Sequence, residues 1–452
     1  MSRPKSKEMD LTVGNPFWSL LKFAIPVILG NLFQLFYTLA DSVIVGKTLG
    51  ADSLAAVGAT SIIIYFVFCF INGFTGGFGI CLGQRCGAKD EKGMRKSVAV
   101  STLLSIIFTI VLTLICCLLA HQILRWMQIP EDISSEAYDY MFVVLLGTGA
   151  TVFYNMISNM LRALGDSKTP LYFLVFSSVL NIFLDILFIV PFHMGVAGAA
   201  WATILSEFAS MFLCAVQLAR EESILHISWT HLSLDFENLK QICIYGLPTG
   251  LQGCVIDFAN VMIQSYINSF GAAAIAGIGA YSKVEGFIFL PEISFSMALT
   301  TFVSQNEGAG QKERSRKGIL FGLAAALLMI ECLGILIYLF APTFISFFNQ
   351  NPEVIAIGVD RARICAFFYV LLGFSHVVSS ILRGLGRPVM PMVVMLVCWC
   401  AVRVVVLMTM GQSIHSLYLT HWLYPITWGL SSIVYVFDLR KYKLFTPREQ
   451  LS

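Results

Sequence analysis

Stretches of twenty or more apolar residues follow one another along this chain with only short polar breaks between them. A hydrocarbon layer about 30 Å thick is crossed by roughly 20 apolar helical residues, so each stretch is long enough to be a membrane span. Twelve are predicted, at about 17–40, 53–81, 98–119, 138–160, 171–190, 197–219, 242–268, 274–303, 318–340, 355–381, 392–411 and 421–438. Composition supports the reading. The chain is 57% hydrophobic and only 12% charged, against about 25% charged for a soluble domain, so it lacks the polar surface to stay in water. A formal net charge of +2 leaves no basic footprint for nucleic acid.

The first fifteen residues, MSRPKSKEMDLTVGN, are polar, and the apolar segment behind them has the length of a first span rather than a signal peptide. Most Lys and Arg fall on one side if both termini are cytoplasmic. The outer ends then carry only Lys47, Arg125, Arg361 and Arg363, which is the asymmetry of the positive-inside rule. The expected location is the inner cell membrane, multi-pass. The twelve Cys form no CxxC pair and lie mostly inside apolar segments, so they read as small packing residues.

A shift of 221 residues lays the chain on itself. Gly50, Gly58 and Ser61 fall on Gly271, Gly279 and Ser282, Gln84 and Gly87 on Gln305 and Gly308, and Leu161, Arg162 and Gly165 on Leu382, Arg383 and Gly386. Membrane helices share Gly, Ala and Phe by composition, but the matched polar loops QxxGA…RK and LRxLG…P need a duplication. Six spans per half keep both halves in the same orientation. The expected fold is therefore all-α and polytopic, with 12 transmembrane helices in two six-helix lobes related by a pseudo-twofold axis along the membrane normal. The predicted division is an N-lobe at 1–219, a cytoplasmic linker at 220–240 and a C-lobe at 241–452. No GxxxxGK[ST] loop is present, and the chain shows no catalytic pattern, so it reads as a non-enzyme without cofactor that draws on an ion gradient.

An ionisable side chain in a span costs roughly 2.5–3.5 kcal/mol on insertion scales, which makes each one a functional candidate. In the first span Asn31, Gln34, Thr38 and Asp41 recur at three- and four-residue steps on one face, with Tyr37 beside them and Pro26 as a possible hinge. Asn181 and Asp185 share a face of the fifth span, and Thr203 and Glu207 share one of the sixth. With Asp41 these groups would suit a proton relay or a hard monovalent cation such as Na+, held at Asp41, Asn181 and Asp185. A static kink near the outer interface and simple hydrogen bonds between helices are the plainer alternatives. At the same offset Asn181 and Asp185 fall on Val402 and Val406, so the cluster is expected in one half only. In the second half Asp257, Glu285 and Glu292, with Gln34, Tyr37 and Glu207 of the first, are candidates for a substrate cavity between the lobes. Lys283, Glu331 and Arg403 have no assigned role, Asp257 and Arg403 being possible partners of each other. Aromatic residues make up 13%, which would suit flat lipophilic cations.

Pro26 followed by Asp41, GQRCGAKDEKGMRK with its second-half partner SQNEGAGQKERSRK, LRALGDSKTP with LRGLGRPVMP, and NIFLD together resemble the multidrug and toxic compound extrusion (MATE) family over nearly the whole chain. The resemblance implies a V-shaped pair of six-helix lobes exporting organic compounds in exchange for H+ or Na+. It is nearer the DinF-like branch, whose first-span acid and fifth- and sixth-span Asn, Asp and Thr match Asp41, Asn181, Asp185 and Thr203. The NorM-like pattern adds an acid in the tenth span, which this chain lacks after Asp360. The expected partners are small organic molecules and the bilayer, with the monomer as the working unit. A lipid-linked precursor flippase of the same superfamily is the alternative function.

Overall fold

The computed structural model describes residues 9–127, 129–220 and 235–441, and within them regular structure is helical throughout. The 221–234 stretch of the expected linker lies outside the described residues. The helices are α1 (Pro16–Thr48), α2 (Ala51–Gly87), α3 (Glu91–Trp126), α4 (Glu131–Leu146), α5 (Thr148–Ala163), α6 (Lys168–Ile189) and α7 (Gly195–Arg220). The second half follows with α8 (Phe236–Asn268), α9 (Ala272–Gly308), α10 (Lys312–Ser346), α11 (Pro352–Ala366), α12 (Tyr369–Gly384), α13 (Val389–Val394), a π-helical segment (Met395–Ala401), α14 (Val402–Ile414) and α15 (Leu417–Lys441). Nine helices among the described residues are long and apolar enough to cross a membrane by themselves. Two further spans are bent pairs, α4 with α5 and α11 with α12, and the 25 residues of α15 supply the twelfth.

Helix is the form these segments take because in hydrocarbon each backbone polar group must find its partner within its own segment. Their outward faces are apolar: Leu118 is 80% exposed, and Phe183, Phe212, Leu328 and Phe437 also lie on the surface. That surface would be a fault in water and is the expected one in lipid. Polar ends stop the helices. The Asp90 carboxylate accepts the Gly93 N–H at the start of α3, and the Asn351 side chain accepts that of Glu353 at the start of α11.

The repeat is visible in the helix ends. α2 and α9 are both 37 residues long, and their first and last residues match at the offset of 221. The predicted fourth and tenth spans are each broken rather than single, by 43° next to Gly147 and by 59° at Phe367 and Phe368. At the second break the Glu331 carboxylate of α10 accepts the Val370 N–H at 3.1 Å. This gives Glu331 a role the sequence left blank: it satisfies a helix-start donor freed by the bend.

One register changes. The π-helical Met395–Ala401 segment has no counterpart in α6, and a π turn adds a residue. Beyond it the buried positions Arg403, Leu407 and Gly411 match the buried Asn181, Asp185 and Ile189 at an offset of 222. The alignment of Asn181 with Val402 and of Asp185 with Val406 is thereby corrected: Asn181 corresponds to Arg403 and Asp185 to Leu407.

The chain divides into two compact units. The first comprises residues 1–13, 21–250 and 308–310, and the second residues 14–20, 251–307 and 311–452. Each half thus lends the start of its first helix to the other unit. In the first unit α8 approaches α2 most closely through glycines: a Cβ on Gly73 would stand 2.6 Å from Gly250 Cα, and one on Gly77 2.5 Å from Gly246 Cα. This is the small-xxx-small contact by which membrane helices approach backbone to backbone. In the second unit Phe17 packs on Phe321 with ring centroids 4.1 Å apart, and Leu20 fills the space over Gly322.

Candidate functional site in the first unit

Five helices, α1, α4, α5, α6 and α7, bring polar groups together inside the first unit. α1 carries Tyr37 and Asp41, α6 carries Asn181 and Asp185, and α7 carries Thr203 and Glu207. The three- and four-residue spacing holds each pair on one helical face. The Asn181 amide donates to Thr203 Oγ1 at 3.4 Å, which joins α6 to α7. Asp185 is fully buried, and Asp41 is an electrostatic neighbour of it on α1. Glu207 accepts the Thr151 hydroxyl of α5 at 2.5 Å. Tyr37 of α1 and Tyr140 of α4 both lie within electrostatic range of Asp41 and Glu207, and Tyr140 also of Asp185.

Several acceptors in this cluster have nothing to accept. Asp41 Oδ1, both carboxylate oxygens of Asp185 and Asn181 Oδ1 are buried without a hydrogen-bond partner. Two neighbouring carboxylates are both acceptors, so one proton or one cation held by them is what would complete the site. Among the described residues no three of His, Cys, Asp and Glu converge as metal ligands. A hard cation here would therefore draw on the amide oxygen of Asn181 and the hydroxyl of Thr203 as well as on the carboxylates, and those oxygen donors fit Na+.

The other predicted residues separate from this group. Gln34 is exposed, and its backbone carbonyl accepts the Thr38 hydroxyl at 2.9 Å. Pro26 sits within α1, which continues through it. Asp257, Glu285 and Glu292 belong to the second unit. Glu292 is engaged there by Ser296 Oγ at 3.2 Å and by His376 Nδ1 at 3.3 Å. Arg403 does not pair with Asp257; it donates to Thr427 Oγ1 at 3.1 Å and to Asn260 Oδ1 at 3.2 Å. Arg361, read from sequence as an outer-rim charge, is buried, with its guanidinium over the rings of Tyr281 and Tyr424. Tyr140 and Thr151 were missed altogether. Their hydroxyls are too common in apolar helices to stand out until packing directs them at carboxylates.

A repeated set of six spans with a buried, incompletely partnered carboxylate cluster in one repeat defines a membrane transporter. The chain belongs to the MATE family: the MatE family model matches residues 26–187 and again 248–409. It is 32% identical over 397 residues to the probable multidrug resistance protein YpnP of Bacillus subtilis, covering 88% of this chain and 89% of that one. It is 29% identical to the probable multidrug resistance protein NorM of Thermotoga maritima, over 83% of this chain and 81% of the other. Among solved structures, an outward-facing multidrug resistance MATE family transporter superposes with a TM-score of 0.89 at 25% identity, covering 98% of this chain and all of the other. These relatives lend the flippase reading no support.

Proposed function

We propose that this chain is an antiporter that exports lipophilic organic compounds across the cell membrane by alternating access, in exchange for H+ or Na+ taken up at Asp41, Asn181, Asp185 and Thr203. The observation that carries the reading is the set of buried, unpartnered oxygens on Asp41, Asp185 and Asn181 in spanning helices. A permanent structural role would leave such atoms paired, because each costs free energy while it is not. A site that is filled and emptied in each cycle must leave them open in one state. Na+, when bound, supplies a positive charge to Asp41 and Asp185; a proton shared between them does the same. In either case the residues of this chain hold the ion, with the Asn181 amide oxygen and the Thr203 hydroxyl as further oxygen donors beside the carboxylates.

The residue set matches the DinF-like pattern better than the NorM-like one, which supports coupling through the first unit alone. The relatives' multidrug resistance names support organic substrates. Cytoplasmic termini, residence in the inner membrane and action as a monomer complete the reading.

The test is drug efflux in a hypersensitive host, with the amount of protein in the membrane measured in parallel. Asp41→Asn and Asp185→Asn are each expected to lower efflux at least ten-fold at unchanged expression, and unchanged efflux in either would remove the coupling site. Reconstituted protein under an imposed pH or Na+ gradient then separates the two ions.

A further inference from the structure

Two positions beside the carboxylates of the first unit, those of Tyr140 and Asn181, are occupied by arginines in the second. At the offset of 221, Tyr140 corresponds to Arg361. Beyond the π-helical segment Asn181 corresponds to Arg403. Both arginines are buried, 3% and 1% exposed. They stack on the ring of Tyr424, with guanidinium carbons 4.5 Å and 4.2 Å from its centroid, and Arg403 also lies 4.9 Å from that of Trp399.

Their charge is not balanced nearby. Among the described residues neither guanidinium makes a salt bridge. Glu285 is an acid within electrostatic range of both, and its carboxylate is taken by the Tyr281 hydroxyl at 2.5 Å. Arg361 Nε and Nη1, Arg403 Nη2 and both ring nitrogens of His421 are buried donors or acceptors without a partner. Two guanidiniums against one carboxylate leave an excess positive charge at membrane depth, and an unpaired buried charge is among the costliest arrangements a protein can hold. Aromatic faces offset part of that cost but leave the N–H donors open.

We propose that Arg361 and Arg403 of the second unit form a binding site for an anionic group, either a free inorganic anion or the carboxylate of an organic compound. The site needs no gradient to be filled and stands whether or not the first unit couples export to an ion. The π-helical turn is what builds it. Adding one residue ahead of α14 turns Arg403 inward to the buried face, where an unbroken helix would have placed Val402.

The experiment uses the full chain in lipid nanodiscs. Thermal unfolding is followed while chloride is titrated in one arm and benzoate in the other, each response being referred to that of Arg403→Gln at the same ionic strength. A saturable rise in the unfolding midpoint in either arm is expected. Chloride alone identifies a free inorganic anion, and benzoate alone or more tightly identifies an organic acid. Arg403→Gln is expected to weaken the response about ten-fold or more. Glu285→Gln removes the competing negative charge and is expected to strengthen it about ten-fold, which keeps the test decisive if the arginine variants do not fold. No anion response in the wild type, an undiminished response in a folded Arg403→Gln, or a response that Glu285→Gln leaves unaltered would each overturn the proposal.

Discussion

Single residues matter most in this chain where a charge meets the edge of the membrane. Asp90, ahead of α3, is held below the usual carboxylate range first by the Gly93 N–H it accepts and then by Arg85. Asp235, ahead of α8, is held low first by the hydrogen bond from Lys96 Nζ, at 2.9 Å. A carboxylate lowered on folding contributes stability above its unfolded value, here 3.8, and loses it as pH falls through the folded value. The unfolding midpoint in detergent is therefore expected to decline below about pH 4, and Asp235→Asn should flatten part of that decline. An identical pH profile in the variant would show that the Lys96 contact contributes nothing. Such a contact was not legible in the sequence, because Lys96 lies on α3 and Asp235 just ahead of α8, and only folding brings them together.

Among the elements, the close approach of α2 to α8 is made at four glycines. Methyl groups at Gly73 or Gly77 would enter the opposing backbone, which cannot give way as a flexible side chain can. Gly77→Ala is expected to cost about 1–3 kcal/mol, read as a lowered unfolding midpoint. Gly76→Ala, which would meet nothing within 4 Å, should be nearly silent. Equal effects would mean that the close approach has no energetic weight. The glycines could be seen in the sequence, but a membrane chain has many, and nothing local marks which of them face another backbone. The bends at Gly147 and Phe368 were unreadable for the same reason: neither carries a proline at the break, and hydropathy runs through both.

At the scale of the whole molecule, two repeats share one scaffold and differ in what they bury. The even number of spans and the asymmetry of Lys and Arg predict that a reporter fused to either terminus is active only on the cytoplasmic side. Activity of either fusion on the outer side would require a different span count. Hydropathy, the duplication and the polar face of each span were determined by the sequence itself, because bilayer thickness and the helical repeat turn residue spacing directly into length and face. That Asn181 meets Thr203 and that Asp41 neighbours Asp185 could be anticipated from those faces. Which charges lie unpaired was decided only in three dimensions. A single extra residue in a π turn rotates a helix by about 100°, and hydropathy has no term for that rotation. It separates Arg403 as a buried, partly open guanidinium from Arg403 as one more apolar-helix anomaly, and it places Arg403 beside Arg361 on the ring of Tyr424.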